Sequence, residues 1–71
     1  MRTVEVFTTN VQEVSQANDL MNILLKIFPE YSINFDLEDC DRILRVESDS
    51  INPEKIIRVL TAENFRCQIL H

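Results

Sequence analysis

An α+β fold with the element order β-α-β-β-α-β is predicted, and three observations predict it. Apolar residues alternate with period two in residues 3–7, 31–38, 42–47 and 65–70. They recur at spacings of three and four in the two stretches that begin near Val14 and Ile56. Between these stretches stand residues that cap helices or make turns. With 71 residues, 45% hydrophobic and 27% charged, the chain can build one core, and residues 1–71 read as a single domain.

Each element follows from its residues. Thr-Val-Glu-Val-Phe at 3–7 is rich in β-branched and aromatic side chains and reads as the first strand, with Val4 and Val6 facing inward. Val14, Ala17, Leu20, Met21, Leu24, Leu25 and Phe28 then line one side of a helix over about 14–28, which Pro29 ends. Its start is open: Asn10 and Glu13 have the spacing of a capping box, and Ser15 competes as N-cap. Tyr31, Ile33, Phe35 and Leu37 face one way in the second strand. Asp39-Cys40-Asp41 turns the chain into a third strand over 42–47, where Leu44 and Val46 share a face, so the two strands form a hairpin. Asn52-Pro53-Glu54 starts a second helix: Asn caps free amides, Pro suits the first helical position, and Glu favours the positive end of the dipole. Ile56, Ile57, Val59 and Leu60 supply its apolar side as far as about residue 63. Phe65, Cys67 and Ile69 face inward on the last strand.

Right-handed crossovers around a central hairpin lead from this order to a ferredoxin-like arrangement, a four-stranded antiparallel sheet ordered 4-1-3-2 with both helices on one face. The second strand is then an edge.

Charge and composition exclude several function classes. The chain contains no glycine, which removes the phosphate-cradling P-loop, the dinucleotide fingerprint, the nucleophile elbow and the EF-hand loop. Net charge is −5, and its distribution is uneven: residues 1–29 sum to −1 and residues 42–71 to +1, so Glu30, Asp36, Glu38, Asp39 and Asp41 account for the rest. A chain so acidic, with no basic stripe, repels nucleic acid and anionic membranes, so neither is expected as a partner. No stretch is apolar enough to span a bilayer, and the first ten residues lack the core of a signal peptide, so a cytoplasmic protein is expected. The edge position of the acidic segment has a structural explanation too, since charge on an edge strand discourages aggregation.

The residue pattern resembles a heavy-metal-associated domain, the small fold of copper chaperones and of the N-terminal modules of metal-pumping ATPases. Asn34-Phe35-Asp36-Leu37-Glu38 resembles that family's second strand, and Ile43-Leu44-Arg45-Val46 its third. Residues 56–67 are similar to its second helix and the turn into its last strand, with Asn64 in place of a glycine. The resemblance implies the same fold. It does not bring the metal chemistry, because the family's methionine-x-cysteine-x-x-cysteine loop falls here on residues 8–16, which contain no sulfur. Neither a two-thiolate site in that loop nor any cofactor is expected.

Few residues remain as candidates for chemistry. Cys40, with Glu38, Asp39 and Asp41, is the one metal-ligating combination, either an exposed turn thiol among solvated acids or a rebuilt metal site. Carboxylates beside a thiolate disfavour it by like charge, which speaks against nucleophilic use. Cys67 alternates with core residues and reads as a small buried hydrophobe. Strands two and four are opposite edges, so the two cysteines are not expected to pair. The single histidine, His71, is terminal, and no serine has a base placed to activate it, so no catalytic residue is assigned and no enzyme is expected. Phe7, Ile43 and Leu70 are expected on the uncovered face of the sheet, as an interface for a protein partner or a second copy or simply as scattered apolar residues. The expected function is a non-enzymatic binding or adaptor module; the alternative is a metal handler using Cys40 and its carboxylate neighbours.

Overall fold

The computed structural model describes residues 2–70, so His71 lies outside the described residues. The elements are β1 (Thr3–Thr9), α1 (Val14–Ile27), β2 (Ser32–Asp36), β3 (Ile43–Ser48), α2 (Pro53–Ala62) and β4 (Cys67–Ile69). The molecule is α+β, with one four-stranded antiparallel sheet and two helices, compatible with a ferredoxin-like arrangement. The strands lie in the order β2-β3-β1-β4, which from the other edge is 4-1-3-2. α1 packs on β2, α2 on β4, and the helices touch each other, so both cover the same face of the sheet. No helix among the described residues is long and apolar enough to cross a membrane.

Local chemistry sets the element ends. At the start of α1 the Gln16 side-chain oxygen accepts from the backbone N–H groups of Gln12 and Glu13, each at 3.2 Å, so two amides preceding the helix gain a partner. The N-cap is Glu13. Asn10 is occupied elsewhere, and Ser15 lies inside the helix. Asn52 caps α2 by accepting from the Lys55 N–H, with Pro53 following at the first helical position. α2 ends in a Schellman motif: Asn64 takes φ 70°, the Phe65 N–H donates to the Leu60 carbonyl at 2.9 Å, and the Asn64 N–H donates to Thr61 at 3.0 Å.

The core lies between the sheet and the helices and contains Phe7, Val11, Leu20, Leu24, Leu44, Val46, Ile56 and Leu60 as its fully buried large side chains. Tyr31 joins it, stacked on Phe28 with ring centroids 4.5 Å apart. Its hydroxyl accepts from the Asn52 N–H at 3.0 Å, tying the end of α1 to the start of α2.

The phase of β1 is opposite to the one expected. Residues directly opposed in an antiparallel pair share a face, and the register sets Phe7 against Leu44 and Glu5 against Val46. The inward set is therefore Glu5, Phe7 and Thr9, and Val4 and Val6 point to the uncovered face. The pattern was ambiguous because β1 carries apolar residues on both faces. The inward phase places the larger Phe7 in the core, and the chain beyond the strand then adds a fully buried Val11. Phe7, at 0% exposure, is thus not an interface residue.

Candidate functional site

Three connections meet at one end of the sheet because β1 and β2 end there while β3 and β4 begin there. Hydrogen bonds bind them into a unit. The Thr9 N–H donates to the carbonyls of Asp41 and Arg42, the Thr9 hydroxyl donates to Arg42 at 2.6 Å, and the Thr8 hydroxyl donates to Asp41 at 2.8 Å. The Asn10 side chain accepts from the Arg66 N–H at 2.7 Å and so attaches the connection into β4. Arg42 completes the assembly. Its guanidinium donates to the carbonyls of Leu37 at 3.0 Å and Gln12 at 3.4 Å, bridging the β2-β3 turn and the β1-α1 loop.

Arg42 does this from a left-handed backbone, φ 51°, where a Cβ is costly. The turn explains the conformation. The Arg42 N–H closes a four-residue turn onto the Asp39 carbonyl, and the Asp39 side chain accepts from the Asp41 N–H at 2.9 Å. A turn of this kind leading into a strand calls for a left-handed residue immediately afterwards, commonly glycine. Periodicity does not single out Arg42. The signal was present, since a chain with no glycine must place another residue wherever the backbone turns left-handed.

At the tip of this turn the ligating atoms of Asp39, Cys40 and Asp41 lie within 4.8 Å of one another, all exposed to solvent. Glu38 is not in that group and lines a groove beside α1 instead. Both cysteines are free thiols, Cys40 exposed and Cys67 buried. Burial pushes the Cys67 thiol from its ordinary value near 9 up to about 12, so it stays neutral at physiological pH.

None of the protein-family models matches this chain, nor does any curated protein or solved structure.

Two further surfaces expose apolar residues. On the uncovered face Val6 sits beside Leu70, whose N–H donates to the Val6 carbonyl at 2.8 Å, and Val4 follows two residues along the same strand. Val4 is 52% and Leu70 41% exposed. Ile43 is on the same face, opposite Thr8 and Asp36, but only 7% exposed, closed in by its neighbours on the sheet. Of the three residues expected as an interface, Leu70 alone is open to solvent, and Val4 and Val6 take the place given to Phe7. The second surface is the groove between α1 and the edge strand β2. It has a volume of about 390 Å³, and its apolar lining includes Val14, Met21, Phe35 and Leu37.

Proposed function

We propose that this chain is a small non-enzymatic protein-binding module of ferredoxin-like fold, related to the heavy-metal-associated domain but without its thiolate site. The observation that carries this reading is the run of Val4, Val6 and Leu70 on the sheet face that no helix covers, two of them widely exposed. Contiguous apolar surface on a small soluble domain favours association with a protein partner or a second copy. Among the described residues the two thiols favour binding over catalysis: the buried one is neutral, and the exposed one stands between carboxylates that disfavour its thiolate by like charge. The test compares the native chain with the Val4→Lys, Leu70→Lys double variant by sedimentation and by pull-down from the source cells. Self-association or a specific partner that the variant loses supports the module. A native chain that is strictly monomeric and retains the same proteins as the variant refutes it.

A second reading has its own observation, the convergence of Asp39, Cys40 and Asp41. One thiolate and two carboxylates form a mixed donor set suited to a borderline divalent ion such as zinc or cadmium, completed by other ligands. Titration with Cu(I), Zn and Cd of the native chain and Cys40→Ser decides it, and equal affinities eliminate the metal reading.

A further inference from the structure

We infer that the outer edge of β2 and the groove between it and α1 form a docking site for an extended, basic segment of a partner protein that adds to the sheet as a fifth strand. This rests on reading the chain as a protein-binding module and assigns a second surface to it, distinct from the uncovered sheet face.

Backbone, apolar lining and charge all contribute to the inference. β2 pairs with β3 on one side only, so along Ser32–Asp36 its outer backbone groups have no strand partner. Five residues of strand are about 17 Å of hydrogen-bonding edge, a usual length for strand addition.

The second observation is apolar and lies on the helix-facing side of that edge. Val14, Asn18, Met21 and Leu25 fall within about 60° of one another around α1, given 100° per residue. Val14 and Leu25 are exposed, Val14 to 68%. Together with Phe35 and Leu37, Val14 and Met21 leave an open, mostly apolar groove. A strand laid along β2 directs alternate side chains into it.

Charge then selects the occupant. Asp36 and Glu38 line the groove, no Lys or Arg does, and Asp39 and Asp41 extend the acidic rim into the turn. Of the cations nearby, Arg42 is occupied with the carbonyls of Leu37 and Gln12, Arg2 bonds to Ser32 and pairs with Glu47, and Arg45 lies opposite Asn34 on the uncovered face of the sheet, outside the groove lining. On β2 the residues facing away from the helices are Ser32, which Arg2 contacts, Asn34, which Arg45 opposes on β3, and Asp36, so the acidic pull on an added strand lies at its Asp36–Glu38 end while its inward residues meet apolar surface. The complement is a segment alternating apolar residues with Lys or Arg. A second copy is a poorer fit, because antiparallel pairing of β2 with itself about Asn34 sets Glu38 against Glu30 at both ends and offers Asp36 no cation.

The experiment uses the isotope-labelled full chain and two synthetic ten-residue peptides, one alternating valine with lysine and one alternating valine with glutamate, followed by amide chemical shifts at low and high salt. The lysine peptide is expected to shift the amides of residues 32–38 and the first half of α1. The glutamate peptide should bind at least about ten-fold more weakly, and the preference should shrink as salt screens it. Val14→Lys and Glu38→Lys, both at exposed positions that spare the core, should each weaken the lysine peptide several-fold. Equal affinity for both peptides, no shift with either, or concentration-dependent β2 shifts in the free protein overturns the proposal. Shifts confined to Val4, Val6 and Leu70 also overturn it, while leaving the module reading intact. Loss of the module reading appears instead as an unchanged outcome for the Val4→Lys, Leu70→Lys variant.

Discussion

Replacing Arg42 separates two effects that the native residue combines. Its left-handed backbone costs any residue with a Cβ about 1–2 kcal/mol. Its guanidinium makes two bonds to carbonyls, at 3.0 and 3.4 Å. A buried bond from a charged donor contributes about 1.5–3 kcal/mol. Arg42 is half-buried and its second bond is long, so about 1–2 kcal/mol for the pair is a better figure. Arg42→Ala keeps the backbone cost and loses both bonds, and should destabilise the fold by about 1–2 kcal/mol. Arg42→Gly loses the same bonds but relieves the left-handed cost, against about 0.5–1 kcal/mol of extra chain freedom in the unfolded state. Gly should therefore be about 0.5–1 kcal/mol more stable than Ala at this position. Urea denaturation measures both differences, and unchanged m-values would show that native chain and variants expose the same surface on unfolding. For a domain of this size 1 kcal/mol corresponds to about 4–8 °C in Tm, well above experimental error. Hydrogen exchange adds a local readout. The Val11 N–H donates to the Thr9 hydroxyl, whose own proton goes to the Arg42 carbonyl, so loosening the turn should speed Val11 exchange. An alanine variant as stable as the native chain, or a glycine variant less stable than the alanine one, refutes the reasoning.

The phase of β1 is tested by Phe7→Ala, expected to cost about 3–5 kcal/mol, against Val4→Ala, expected to change stability by less than about 0.5 kcal/mol; a reversed order in thermal unfolding would mean that Val4 faces the core. The raised folded-state value of Cys67 makes stability alkali-sensitive. Below pH 9 both states hold the thiol proton; between about 9 and 12 only the unfolded state releases it, so stability falls with rising pH by up to about 1.4 kcal/mol per unit from this group. Cys67→Ala should lose that part of the slope, and thiol labelling of the native protein at neutral pH should modify Cys40 alone. Tyr31→Phe keeps the ring stacked on Phe28 but leaves the Asn52 N–H without its partner, and should cost about 1 kcal/mol by urea titration; a neutral result would mean that water replaces the hydroxyl.

Periodicity and end signals made the order and type of all six elements legible, because each depends on residues close together in sequence. Asn52-Pro53 and Asn64 identify the ends of α2 through local chemistry alone. The face of β1 was a different matter. Period two identifies a strand but leaves its phase open when both faces carry valine or phenylalanine, and only the pairing of Phe7 with Leu44 resolves it. The role of Arg42 is hidden for a related reason: it depends on carbonyls of two connections, five and thirty residues away. The groove was half visible. Val14 and Met21 belong by spacing to the apolar side of α1, but that side is wider than the sheet beneath it. The edge strand ends where the helix still has apolar surface to offer.

The acidic segment has two readings that the structure brings closer together. As protection, carboxylates on an edge strand discourage pairing with another copy of the same chain. As recognition, the same carboxylates favour a strand of opposite charge. Both are one electrostatic preference, and they differ only in what else the edge provides. A merely protected edge needs charge and nothing more, and it is best served by a polar border. Here charge borders an apolar groove with Val14 left exposed at the start of α1. Protection alone does not account for that residue, since a polar side chain there would guard the edge better and cost no core packing. An edge that repels its own copy and still keeps apolar surface open beside it is suited to a partner that is basic, extended and different from itself.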